Sequence, residues 1–209
     1  MIVVTGTGRC GTGYVAKLLS SAGVECEHEG LFNRDANWED VDVGQMDFNN
    51  SSWLLAPFLE RLQEDTKIVH LVRHPKPTID SFRRIGFFNP RVWRYHWPYS
   101  RFVKDHLPEA FDYTSTRMRA AHFYAKWNRM IEEKAPGAIL HRVEDGGEAL
   151  LDKLGIEHDG ELFDDTMYNH RDGPVHSDVD LGALWEPCKG WIEEMMVDYG
   201  YEPIEVEKG

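Results

Sequence analysis

The chain opens MIVVTGTGRCGTGYVAKLL, and no other stretch restricts its possible folds as strongly. Ile2 to Thr5 is a short β-branched run suited to a buried strand, and Thr12 to Ala22 carries Val15, Leu18, Leu19 and Ala22 at helical spacing. Between them stand Gly6, Gly8 and Gly11 around a single cation, Arg9, with Gly13 just inside the helix. A strand that breaks into glycines and re-enters as a helix presents unpaired N–H groups at the helix start, and glycine lets that backbone approach an anion closely. Gly6, Gly8 and Gly11 satisfy G-x-G-x-x-G, while Gly6, Gly11 and Thr12 nearly satisfy G-x-x-x-x-G-K-[ST]. Both templates hold phosphate.

The rest of the chain repeats the strand and helix alternation. Val24 to His28 is expected as a second strand, Trp53 to Gln63 as a helix, Lys67 to Val72 (KIVHLV) as a buried strand, Ser115 to Glu133 as a long helix and Ala138 to Val143 (AILHRV) as a fourth strand. Such alternation implies a parallel sheet with both faces covered, its ligand site lying beyond the carboxyl ends of the strands. With 209 residues, 42% of them hydrophobic, the chain buries a full core as one domain. Residues 86–113 interrupt the pattern with aromatics and with Pro90, Pro98 and Pro108; they read either as packing over the sheet or as a wall of a substrate pocket.

The formal charge of −13 argues against a broad nucleic-acid-binding face, which needs clustered Lys and Arg. Cys10, Cys26 and Cys188 form no C-x-x-C pair, so neither a disulfide framework nor a zinc knuckle is indicated, and a cytoplasmic location is the simplest. No run approaches the length of a membrane span, and the histidines show no metal-binding spacing.

Three readings compete for the glycine loop. A dinucleotide site needs an acidic residue about 20 positions on, for which Glu25, Glu27 and Glu29 offer themselves, but it leaves Arg9 without a purpose. A small-molecule kinase needs a lysine after Gly11, where this chain has Thr12 and Gly13. The third reading draws on VHLVRHPKPTIDSFRR at positions 69 to 84: a strand ending in Arg73, a helix begun by Pro75 or Pro77, and Ser81 two helical turns along. Here the sequence resembles the sulfotransferases that use 3′-phosphoadenosine 5′-phosphosulfate (PAPS). That family carries [KR]-[SG]-G-T-T after its first strand and R-x-x-x-x-x-x-x-S after a later one; the chain has Arg9-Cys10-Gly11-Thr12-Gly13 and Arg73 to Ser81, with Cys10 in place of the commoner serine. HRVEDG at 141 to 146 and the ending MMVDYGYEP also resemble the family.

The resemblance implies a P-loop-like three-layer α/β/α sandwich with a mainly parallel central sheet. It further implies PAPS as co-substrate, 3′-phosphoadenosine 5′-phosphate (PAP) as product, and no metal. Arg9 is then the residue that stabilises charge on the bridging oxygen. Cys10, Gly11, Thr12, Gly13 and Tyr14 cradle the 5′-phosphate, and Arg73 and Ser81 hold the 3′-phosphate. Glu29 aligns best with the family's glutamate base; His28 is the second choice and His96 a remote third. Arg83 or Arg84 would add charge near the adenosine. Apart from the resemblance, the acidic balance disfavours a highly sulfated polyanion as acceptor, which a local groove lined by Arg91, Arg94, Arg101 and Lys104 would override through its focused field. The acceptor is expected to be a hydroxyl on a small molecule, glycan or peptide, with an amine second. A kinase, or an inactive nucleotide-binding module, is the alternative.

Overall fold

The structure, a computed structural model, describes residues 1–32, 38, 41–89, 91, 97–163 and 179–203. Its elements in chain order are β1 (Ile2–Gly6), α1 (Thr12–Ser21), β2 (Cys26–His28), β3 (Asn49–Ser51), a 3-10 helix (Trp53–Arg61), β4 (Lys67–Val72) and α2 (Pro75–Arg84). They continue with α3 (Trp97–His106), α4 (Thr116–Lys134), β5 (Ile139–Arg142), α5 (Gly147–Leu154) and α6 (Cys188–Asp198). The chain divides into two compact units, one made of Met1–Arg73 and Met130–Pro174, the other of His74–Arg129 and Val175–Gly209.

The first unit holds a five-stranded sheet in the order β2-β3-β1-β4-β5, with every pairing parallel. The α/β class with a parallel central sheet is therefore as the alternation implied. Residues in register share a face, so Val4 and Val69 stand together and face the same way as Leu71 two residues on. Against them pack Val15, Leu18 and Leu19 of α1 and Leu150, Leu151 and Leu154 of α5. Burying each such side chain contributes about 1.5–3 kcal/mol, which is why the helical spacing after the glycine loop is enough to dock α1 on the sheet.

Two elements differ from the sequence reading. Asn49–Ser51 is a fifth strand that the sequence did not signal, because N-N-S shows neither alternation nor β-branching. The sheet supplies what propensity lacks: the Asn49 carboxamide accepts from Ile2 N at 2.8 Å and donates to the Glu25 carbonyl at 2.9 Å, fastening β3 to its neighbours. The expected Trp53 to Gln63 helix is a 3-10 helix ending at Arg61, begun by Ser52, whose hydroxyl accepts from Leu54 N. Pro57 lies inside it and has no N–H for an α-helical ladder.

The second unit has its own core, in which Phe82, Phe87, Phe88 and Phe123 meet at ring separations of 4.9–5.8 Å. Phe87, Phe88 and Phe102, from the aromatic interruption, are buried in this unit.

Candidate active site

The strand order decides which loops meet. From β1 the chain moves to one side for β2 and β3, then crosses to the other side for β4, so the connections leaving β1 and β4 part at their carboxyl ends. Gly6 is in register with Leu71, which brings the glycine loop beside Arg73. A Cβ on Gly6 would lie 2.1 Å from the Leu71 carbonyl oxygen, so glycine is required where the loop leaves the sheet. Arg73 Nη1 then donates to the Arg9 carbonyl at 3.2 Å.

Arg9 itself has φ 71°, the left-handed region, where a side chain costs roughly 1–2 kcal/mol relative to the right-handed one. Cys10 N closes the turn on the Thr7 carbonyl at 3.3 Å. The Cys10 side chain is fully buried, and burial pushes its thiol up to about 12 despite the nearby Arg73 cation. Of the residues expected to cradle a phosphate, Cys10 thus shapes the loop. Gly11 forms the N-cap of α1 with φ 107° and contributes no side-chain acceptor, leaving the first-turn N–H groups to the front of the helix. Thr12 and Gly13 begin the helix as buried residues, and Tyr14 is half-buried.

Of the proposed bases, His28 ends β2, at the sheet edge beyond β3, and Glu29 follows it in the turn. Thr12 Oγ1 lies 3.4 Å from His28 Nε2, and His28 Nε2 lies 3.9 Å from Glu29 Oε1. Burial holds the His28 imidazole below its ordinary range, partly offset by the Glu29 carboxylate. Glu29 has φ 57°, the other non-glycine residue in the left-handed region among the described residues. Its N–H donates to the Ser51 carbonyl at 3.4 Å and its carbonyl accepts from Phe32 N at 2.9 Å, so the turn is held at both ends.

Ser51 is the site residue that sequence reasoning missed. Fully buried and in register with His28, it donates its hydroxyl to the Thr12 carbonyl at 2.7 Å. It thereby ties α1 to β3, whose partner strand β2 ends in His28 just before Glu29. No local pattern marks such a serine, since its importance comes from strand pairing.

With this geometry in view, comparison with known proteins gives one informative match. No family model matches the sequence, and no curated protein matches it significantly. Among solved structures, the sulfotransferase domain from the curacin biosynthetic pathway superposes with a TM-score of 0.59 over 97% of this chain and 98% of that one, at 14% sequence identity. The chain has a sulfotransferase fold. That likeness is one of architecture, and it agrees with the family resemblance first carried by the glycine loop and by the segment from Arg73 to Ser81.

The remaining candidates lie in the second unit or outside the described residues. Pro75 is the first residue of α2, whose N-cap, His74, accepts from Lys76 N through Nδ1 at 3.2 Å. Ser81 is buried within the same helix. Arg83 and Arg84 both pair with the buried Asp80, at 3.3 and 3.1 Å, an engagement the sequence reading did not foresee. On α3, Arg101 pairs with Asp105 at 3.5 Å. His96 and Arg94 fall outside the described residues. Among the described residues no group of three or more His, Cys, Asp and Glu is placed to hold a metal ion, and no helix is long and apolar enough to cross a membrane.

Proposed function

We propose that the protein is a sulfotransferase that moves a sulfuryl group from PAPS to a hydroxyl, with an amine as second choice, on a small-molecule, glycan or peptide acceptor. The observation that carries the proposal is the pair of strained residues. Backbone strain persists where the surroundings over-determine it and concentrates at functional sites. In the described chain it falls at Arg9 and Glu29, the residues that the resemblance assigns as cation and base.

The donor set fits a phosphosulfate. Arg9, a half-buried residue, offers a guanidinium, the first turn of α1 offers N–H groups, and Thr12 offers a hydroxyl. PAPS, when bound, supplies an activated sulfuryl group whose departure leaves a phosphate. Arg9 meets the negative charge that develops on the bridging oxygen as the sulfur–oxygen bond breaks. Glu29 takes the proton from the acceptor hydroxyl as its oxygen bonds to sulfur, with His28 the alternative proton acceptor. Arg73 serves the 3′-phosphate and, through its bond to the Arg9 carbonyl, also steadies the loop. Cys10, Cys26 and Cys188 are free thiols, which suits a reducing compartment such as the cytoplasm.

The test is isothermal titration of the protein with PAP beside ADP and NAD, without magnesium. Tight binding of PAP with little heat from the other two is the expected result. Preference for ADP or NAD would return the loop to the kinase or dinucleotide reading.

A further inference from the structure

A hydroxyl group has one proton to donate, and the position of Thr12 gives that proton two claimants. Ser51 fixes the residue by its 2.7 Å bond to the Thr12 carbonyl, and Thr12 begins α1 beside the first-turn N–H groups assigned above to the phosphate. Its Oγ1 is also 3.4 Å from His28 Nε2. A histidine able to accept a proton at Nε2 presents a lone pair there, so in that tautomer Thr12 is the donor in this contact. We infer that the Thr12 hydroxyl is shared between His28 and the cofactor phosphate, so that loading the loop withdraws it from His28 and releases Nε2 to act beside Glu29.

The inference rests on the sulfotransferase reading and adds a coupling to it. With the loop unloaded, the lone pair of His28 is occupied by the Thr12 O–H. Once a phosphate oxygen takes that hydrogen bond, Nε2 is free to serve as the alternative proton acceptor beside Glu29, whose Oε1, 3.9 Å away, stabilises the imidazolium when His28 takes the proton. Proton acceptance by His28 is thereby tied to cofactor occupancy. Glu29 is the charged group acting on His28; Thr12 approaches it from α1, and Ser51 is in register with it on β3.

The experiment follows the His28 imidazole by NMR through pH titration in wild type, Thr12→Val and Thr12→Ser, each free and with saturating PAP, and calorimetry establishes PAP binding separately. A donor to Nε2 stabilises neutral imidazole, so in the free proteins Thr12→Val should titrate at higher pH than wild type and Thr12→Ser. With PAP bound the three should coincide. A gap between Thr12→Val and wild type that is absent in the free proteins, or that survives PAP unchanged, overturns the inference while leaving the binding result intact. Failure of PAP to bind wild type overturns the underlying reading and the inference together, and calorimetry alone detects it. Where Thr12→Val does not fold or does not load, wild type decides. Its Nε2 nitrogen-15 resonance should move toward that of an unbonded lone pair on adding PAP, and an unmoved resonance at saturation overturns the inference.

Discussion

Two clusters in this molecule carry nearly the same chemical groups. In the first unit Cys10, Thr12, His28 and Glu29 gather around the glycine loop. In the second, Tyr113 Oη lies 3.2 Å from His122 Nδ1, and Cys188 Sγ lies 3.6 Å from the tyrosine oxygen and 3.8 Å from the same nitrogen. Burial lowers both imidazoles, His28 and His122, from their ordinary value. Burial, together with Cys188, pushes the Tyr113 hydroxyl up to about 12, and burial raises the Cys188 thiol. What separates the clusters is backbone and surroundings. The first has two residues held at positive φ, an arginine in its turn and a partly exposed histidine paired with a carboxylate. The second is held by residues without such strain, and its His122 Nε2 is buried with no hydrogen-bond partner. Convergence of a thiol, an imidazole and a hydroxyl is therefore compatible with simple packing. Strain and a charged partner are what single out the loop.

Substitutions can break this contrast. The largest effect should come from Arg9→Ala, which removes the cation proposed to face the developing charge and should cut PAPS turnover by about a hundredfold to a thousandfold. Matched Cys188→Ala protein should turn over as wild type does, and equal losses in both would erase the distinction between the clusters. Glu29→Gln should leave PAP affinity intact while lowering turnover by about a hundredfold, the scale of a general base. Unchanged turnover would pass the role to His28. Arg73→Ala should weaken PAP binding by more than about 1.5 kcal/mol, the scale of a charge-assisted hydrogen bond, read by calorimetry. Wild-type affinity in that variant would remove Arg73 from the phosphate site.

The smallest effect is a pH dependence that sharpens the comparison from the other side. The folded-state value of His122 is lowered, so below the unfolded value of about 6.5 the unfolded chain binds a proton that the native state refuses. The stability it confers is complete above that value and declines as the pH falls from it toward the lower folded value. In denaturant melts His122→Gln should flatten the loss of stability on mild acidification, without changing turnover at neutral pH. An unaltered acid slope would show that His122 is not the titrating group.

Much of this was legible in the sequence because it is written locally. The glycine loop, α1 behind it, KIVHLV and the arginine that ends it each occupy a continuous stretch with its own spacing signal. Residues linked across the sheet were harder to see. Ser51 sits in a three-residue polar strand whose pairing with β1 and β2, not its composition, makes it a strand at all. Arg83 and Arg84 looked like free charge until Asp80, one helical turn before them, was found buried between their guanidinium groups. The aromatics of residues 86–113 suited a pocket wall or packing over the sheet equally well by composition, because both bury apolar rings, as Phe87, Phe88 and Phe102 are buried.

By itself the sequence determined that a strand, a glycine turn containing Arg9 and a helix would follow one another, and that a second strand would end at Arg73. Those outcomes depend on φ preferences, hydrophobic period and helix-start chemistry, all of which act within a few residues. Tertiary structure decided that β1 and β4 would be neighbours with Gly6 beside Leu71, so that Arg73 reaches the Arg9 carbonyl. It also decided that β3 would carry Ser51 to Thr12 and set His28 within reach of the same residue. The order of parallel strands is fixed by which apolar faces bury best against α1 and α5, a property of the whole sheet that no single segment contains.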